Sequence, residues 1–314
     1  MRTGLTEESG ENTGPRLESQ SSRIGAKVQF GKNVSIIADS IQIEDKVVFG
    51  DNVSIVCRGA FKIGHHGIVG AGATVNCNSL SIGHWLFSCE GLEIGAGGCQ
   101  NKEADLKIGN GVGIFERVLI NLSSQVTIGD NCGIGREVQI WTHGAWLDPL
   151  AGFPSDFGPV SVGDNVWLPA RSIMLPNSSI GDNSVIGINS IINKHIPSGS
   201  FAAGCPARVI RENAYPDPLD APAKDDLIQK IVSDWETQIL YKVPDLNYVV
   251  ECVGGQKIRL EVADLETIFD CSRKTVVGST NPYSEDLRDH LRRRGVKIYT
   301  EDFFKSLQSG VPNS

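Results

Sequence analysis

The sequence has no C-x-x-C pair, although it carries eight cysteines: Cys57, Cys77, Cys89, Cys99, Cys132, Cys205, Cys252 and Cys271. Their spacing is wide, so neither a zinc site nor a disulfide framework is expected. Reduced thiols, most of them filling small core positions, are the simpler reading. No run approaches the ~18 consecutive apolar residues of a membrane-spanning helix. The first twenty residues, Met1–Gln20, are polar and hold no apolar stretch of the kind a secretory signal needs. A cytoplasmic protein without membrane insertion is therefore expected. An excess of positive charge is missing too: 29 Lys and Arg face 37 Asp and Glu, a net charge of −8. That balance speaks against nucleic acid or an anionic membrane as a partner and leaves room only for a local basic pocket.

Glycine is abundant instead, at 35 of 314 residues, against an average of about 7%. Most of it lies between residues 24 and 213, where the chain also repeats with a period of six. An aliphatic residue or Met recurs at Val162, Leu168, Met174, Ile180, Ile186 and Ile192. Ile128, Ile134 and Ile140 keep the same spacing, as do Ile108, Ile114 and Ile120. So do Ile43, Phe49 and Ile55, and Ile24, Phe30 and Ile36. Six matches neither the 3.6 of a helix nor the 2 of an ordinary strand. It matches a flat three-sided coil in which each side is a short strand and each corner a tight turn. One side chain per hexad then points to the axis, and three hexads close a turn of about 18 residues. The Gly and the following Asp/Asn, as in Gly129-Asp130-Asn131 and Gly163-Asp164-Asn165, suit corners with unusual backbone angles. Residues 24–197 are expected to form about nine or ten coils, with capped ends.

The repeat breaks twice. Residues 96–105 exceed a corner and read as a small protruding loop. Residues 143–159 form a longer interruption between Ile140 and Val162 and carry a His, aromatic groups and three prolines. A long loop interrupting a regular coil is usually functional. The flanks differ in character. Residues 1–22 read as a disordered tail, residues 23–213 as the coil and residues 214–224 as a Pro-rich linker. Residues 225–314 read as a small α+β domain of unassigned role. In it Leu227, Ile228, Ile231, Val232, Trp235 and Ile239 recur at helical spacing. Strands are expected at 247–253, 257–262 and 274–277, and a second helix from Ser284 to Arg294, stopped by Gly295. A strand at 296–300 and a short helix at 301–307 are expected to end the chain.

The stretch from Ser161 to Glu212, with its closing run Ala203-Gly204-Cys205-Pro206-Ala207-Arg208-Val209-Ile210-Arg211, resembles the end of the hexapeptide-repeat acyltransferases. The subgroup it is most similar to is that of the galactoside, maltose and surface-polysaccharide O-acetyltransferases. The resemblance covers about residues 24–213. It implies an all-β, left-handed parallel β-helix, a homotrimer with active sites between subunits, and acetyl-CoA as co-substrate without a metal. By position, it implies that His143 is the catalytic base. Acyl transfer from a thioester needs help mainly at the acceptor hydroxyl, and a histidine with its ordinary pKa near 6.5 suits that task. A surface-loop His without a role is the plain alternative. Glu137, Asp148, Asp156 and a backbone carbonyl are the candidates to orient it. Asn121, Trp141 and Trp146 are candidates to bind the acceptor, with a corner Asn and loop packing as their plain readings.

For the CoA groove, the resemblance points to Trp167 as a wall, to Ala170, Ile188 and Asn193 along the groove, and to Lys194, Arg208 and Arg211 at the phosphates. Backbone amides on the coil edges are the expected oxyanion donors. Relatives usually have Gly in place of Pro169 and a small residue in place of Ile188, so the groove has its own shape here. The implied activity is transfer of an acetyl group to a hydroxyl of a sugar or surface-polysaccharide precursor, in a direct ternary-complex reaction. An amino-sugar N-acyltransferase and a non-catalytic β-helix scaffold are the alternatives. A zinc lyase of similar fold is a third, but the His-x-x-x-x-His pair it needs is missing, since Asp148 follows His143 at that spacing.

Overall fold

The computed structural model describes residues 14–95, 97 and 101–308. The chain divides into two units, Met1–Pro216 and Asp217–Ser314.

The first unit is the three-sided coil. Among the described residues, its first sheet stacks nine strands from Arg16–Glu18 to Ile191–Ile192, and its second stacks nine from Ser21–Ile24 to His195–Ile196. The third sheet runs from Gln29–Phe30 to Phe201–Gly204, all parallel, and closes with Ala207–Arg211 as an antiparallel hairpin partner. The coil therefore begins inside the segment expected as tail: residues 16–18 and 21–24 are already strand. The expected axis is the observed one. Ile36, Ile43, Phe49, Ile120, Ile134, Ile140, Leu168, Met174 and Ile192 are buried in a single continuous core. Cys57, Cys77 and Cys132 belong to that core, whereas Cys205 and Cys252 are exposed; Cys99 lies outside the described residues.

At the corners the Asn takes the unusual backbone angle that was expected, and the Gly has a different part. Left-handed backbone falls on the residue just before each inward-pointing one, two places after the Gly. Asn33, Asn52, Asn131, Asn165, Asn183 and Asn189 all have φ near +57°, between 55° and 59°. Asn tolerates this region better than most side chains. The Gly itself answers a close approach between coils. A Cβ on Gly163 would lie 2.7 Å from the Asp182 backbone nitrogen of the next coil. The Asp takes part in a ladder along the coil: Asp130 N–H donates to Asp164 Oδ1 (2.7 Å) and Asp164 N–H to Asp182 Oδ1 (2.8 Å).

The turn length also departs from 18. Register partners Arg16 and Ser35 lie 19 residues apart, and Ser54 and Thr74 lie 20 apart; Ile173 and Ile191 return to 18. The extra residues gather at one corner, between the first and second sheets. Axis residues there are spaced seven apart from Ile36 to Ile43 and eight apart from Ile55 to Ile63. Both long interruptions leave from this same corner: the loop before Asp105–Ile108, and the excursion between Gln139–Ile140 and Val160–Val162.

In the second unit, α1 (Ala221–Lys242) and α2 (Pro282–Arg293) share a core with a four-stranded antiparallel meander, Tyr248–Cys252, Lys257–Val262, Leu265–Asp270 and Thr275–Gly278. Asp220 caps α1, accepting from Ala223 N–H at 2.9 Å, so that helix begins inside the expected linker. The strand Leu265–Asp270 was not among those expected. Conversely, neither a strand at 296–300 nor a helix at 301–307 forms. The fully buried Arg288 guanidinium takes over their role. It donates to the Ile298, Asp302 and Phe303 carbonyls at 3.1, 2.9 and 2.7 Å, satisfying acceptors that a ladder or helix would otherwise serve.

Candidate functional site

The corner that admits insertions carries the expected base. The chain leaves the first sheet after Ile140 and makes a hairpin, His143–Ala145 paired antiparallel with Ser155–Phe157, with a 3-10 turn at Pro149–Ala151. His143 opens the hairpin. Its ring stacks on Phe157 (centroids 5.7 Å, 22°) and meets Trp141 edge-on at 6.2 Å. One coil earlier, the same corner is formed by Asn121 to Gln125.

Asn121 is the residue that orients His143. It is fully buried. Its Nδ2 donates to the Gly97 carbonyl at 2.8 Å and to that of Gly95 at 3.2 Å, which fixes the amide. Its Oδ1 then faces the other way, accepts from Thr142 Oγ1 at 2.9 Å, and lies 2.8 Å from His143 Nδ1. An amide oxygen cannot donate, so Nδ1 carries the proton. The neutral imidazole consequently keeps Nε2 as its acceptor. Ser123 Oγ, 3.0 Å from Nδ1, supports the same orientation, and Thr142 Oγ1 in turn accepts from Ser123 N–H at 2.7 Å.

Asn121 was expected at the acceptor. Burial and full engagement with the protein place it behind the histidine instead. Of the expected orienting acids, Asp148 and Glu137 are committed elsewhere. Asp148 caps the 3-10 turn, accepting from Leu150 N–H at 2.9 Å, and Asp156 lies in the hairpin opposite Gly144. Glu137 gathers Arg117, Arg171 (2.9 Å) and Arg136 (3.5 Å) across three coils. Its bonds to Arg117 and then Arg171 hold its carboxyl down at about 2. Trp141 anchors its indole N–H on Gln139 Oε1 at 3.0 Å, while Trp146 sits at the hairpin tip, 96% exposed.

The residues expected along the CoA groove lie on another part of the coil. Trp167 is on the third sheet, the side of the triangle opposite the His143 corner. It packs flat over Gly133, where a Cβ would come within 2.5 Å of its ring, and meets Phe115 edge-on at 6.3 Å. Phe87 continues this aromatic row at 6.5 Å from Phe115. Ala170 and Ile188 occupy the next corner on successive coils, bridged by Asn189 N–H to the Ala170 carbonyl at 3.1 Å; Ile188 is 70% exposed. Arg208 and Arg211 are exposed on the closing hairpin, opposite Ala203 and Phe201. Exposed Asn193 and Lys194 lie elsewhere, at the corner between the first and second sheets. The structure therefore brings Trp167, Ala170 and Ile188 together, and separates them from His143 within one chain.

His65 and His84 stack at 4.0 Å at another corner, and His66 stacks on Trp85 at 4.1 Å. Among the described residues, no three His, Cys, Asp or Glu side chains are grouped so as to hold a metal ion. Nor is any helix there long and apolar enough to cross a membrane.

No family model matches the chain. The galactoside O-acetyltransferase of Escherichia coli (strain K12) is 42% identical over 89 residues, 28% of this chain and 44% of the relative. A putative acetyltransferase of Schizosaccharomyces pombe is 40% identical over 89 residues, 28% of this chain and 43% of the relative. The chain thus spans about half the length of the curated relatives it matches. Among solved structures, a galactoside acetyltransferase in complex with coenzyme A is 27% identical, with a TM-score of 0.32 over 44% of this chain and 71% of that one. The chain, a parallel β-helix of hexapeptide repeats, resembles the hexapeptide-repeat acetyltransferases.

Proposed function

We propose that the chain is an acyltransferase that moves an acetyl group from acetyl-CoA to a hydroxyl of a sugar or surface-polysaccharide precursor, with His143 as general base. The observation that carries this reading is the fixed tautomer of His143, with Nδ1–H held on Asn121 Oδ1 and Nε2 left as acceptor. A base in that state removes the hydroxyl proton as the oxygen attacks the thioester carbonyl. Collapse of the tetrahedral intermediate breaks the carbon–sulfur bond, and the imidazolium returns the proton to the departing thiolate. Bond making, bond breaking and proton balance close without an acyl-enzyme. The relatives named as acetyltransferases support the class.

The donor site is proposed along the third sheet and the corner after it, with the aromatic row ending at Trp167 as apolar wall, Ala170 and Ile188 beside it, and Arg208 and Arg211 as phosphate partners, while Asn193 and Lys194, on the His143 corner, reach the donor from the neighbouring subunit. Such a wall lies opposite the His143 corner of its own chain, so base and donor meet only between neighbouring subunits. That supports a homotrimer. The hairpin tip supports it too: Trp146 and Leu150, 96% and 97% exposed, and the exposed Leu147 and Phe153 form an apolar prominence suited to a second copy.

Two measurements test the reading. Acetyl-CoA at 100 times its Kd raises the stability of a specific binder by about 2.7 kcal/mol, visible as a thermal shift. His143→Ala is expected to lower turnover by about 10²–10⁴-fold with the oligomer intact. Absence of any shift at millimolar CoA, or near-normal turnover of the variant, overturns it.

A further inference from the structure

The two interruptions of the coil leave the same corner and border an open pocket of about 600 Å³. Asn101, Lys102 and Glu103 line it from the first loop, Phe157 from the hairpin, and Gln125 and Asn177 from the coil between and beyond. The volume lies within the ~300–1,000 Å³ of small-molecule sites. Phe157 belongs to both places: it lines the pocket and stacks on the His143 ring. We infer that this pocket is a saccharide subsite that holds a neutral sugar unit of the acceptor next to the unit being acylated. The inference rests on the acyl-transfer reading above and specifies its substrate as an oligosaccharide.

The lining chemistry selects this class. Three side-chain amides and a phenyl face suit a ligand that offers hydroxyls at its edge and C–H groups on its faces. Two of the amides are held in place. Asn101 Nδ2 donates to the Ser123 carbonyl at 3.2 Å and Asn177 Nδ2 to that of Phe157 at 3.4 Å, leaving their oxygens as acceptors for hydroxyl protons. Groups anchored in advance lose little freedom on binding. The floor is equally fixed, because Gly158 leaves no room for a Cβ against the Asn177 amide. The charges disfavour a polyanion: the carboxylates Glu103 and Asp105 outnumber the single cation, Lys102, in the lining. Asp105 is itself held by Asn78 Nδ2 at 2.8 Å.

The test uses the full chain, acetyl-CoA, and neutral gluco- and galacto-oligosaccharides of one to three units in a thiol-release assay. A rise in kcat/KM of about tenfold or more from one unit to two or three is expected, a factor equivalent to ~1.4 kcal/mol. Lys102→Ala combined with Gln125→Ala is expected to remove most of that rise and to leave kcat/KM for the monosaccharides within about twofold. Neither residue is among the hydrogen-bond or ring partners of His143. Titration of the trisaccharides into the protein without donor gives an independent readout, with affinity falling about tenfold in the double variant. Equal kcat/KM for all lengths, or a length effect that survives the double variant, overturns the subsite; so does a preference for anionic over neutral acceptors. Failure of acyl transfer together with retained, variant-sensitive trisaccharide binding overturns the enzymatic reading and keeps the pocket. Absence of saturable binding in both series overturns the pocket itself.

Discussion

Asn121→Ala separates the histidine's orientation from the stability of the corner. The substitution deletes the amide that bonds Gly97, Gly95, Thr142 and His143. It leaves the Gly97 carbonyl and the Thr142 N–H, which donates to Asn121 Oδ1 at 3.3 Å, without that partner. A buried polar group stripped of its partner costs about 1–3 kcal/mol. A total near 3 kcal/mol lowers Tm by roughly 6–12 °C in a unit of about 200 residues. The catalytic consequence is separate. With Oδ1 gone, His143 Nδ1 keeps only Ser123 Oγ, a hydroxyl that donates as readily as it accepts, so the tautomer is no longer fixed. Turnover is expected to fall by about 10–10²-fold, part of the ~10²–10⁴ that a positioned base supplies. Thr142→Val is the control. It strips the Ser123 and Ser124 amides of their acceptor but retains the Asn121–His143 pair. Similar Tm loss with turnover within about threefold is expected for it. Steady-state rates against acetyl-CoA and a sugar acceptor, measured below both melting points, decide the matter. Unchanged turnover in Asn121→Ala, or equal losses in the two variants, refutes the assignment.

Asp286 in the second unit accepts from Lys242 Nζ (2.6 Å), Leu307 N–H (2.7 Å) and Trp235 Nε1 (2.9 Å), with a side chain only 1% exposed. Asp286→Ala leaves the half-buried Lys242 ammonium unpaired and is expected to cost about 3 kcal/mol, read as a lower urea midpoint for protection of α1 and α2 in hydrogen exchange. His290, buried on α2 and facing Arg294, Arg293, Asp286 and the Ile231 carbonyl, is pushed down to about 4, first by burial and then by the two arginines. The unfolded chain binds a proton there near pH 6.5 and the folded chain does not, so stability drops as pH falls from 6.5 to 4. The loss reaches about 3 kcal/mol at pH 4 and vanishes above pH 7. In His290→Gln, the part of the pH 7-to-4.5 loss of exchange protection in residues 228–239 that is due to this group is expected to disappear. An identical loss in both proteins refutes the role.

The interruptions of the hexad were visible in the sequence, yet their common origin was not. Axis spacings of seven and eight, at Ile36 to Ile43 and Ile55 to Ile63, already mark one corner in three as irregular. Counting those intervals through to Ile120 and Ile128 sets Asn121 to Gln125 at the corner from which both loops depart, and that was the available signal for Asn121 as a neighbour of His143. Its orienting role was not legible. It depends on which end of the amide meets the Gly95 and Gly97 carbonyls, groups 26 and 24 residues away that only the stacking of coils brings near. The last segment shows the same limit. Val296 to Thr300 has strand-like composition, but its central carbonyl, that of Ile298, is taken by Arg288 and the segment joins no ladder.

By itself the sequence determined the coil, because a six-residue period of buried aliphatics has only one way to hide every axis residue, and each hexad carries that requirement locally. It also determined that His143 opens the main excursion. The tertiary structure alone decided the rest: that the Gly opening a corner serves contact between coils, that two loops distant in sequence border one open pocket, and that His143 stands opposite the aromatic row of its own chain. Each of these depends on register between coils, which one coil's residues set for the next and no single stretch contains.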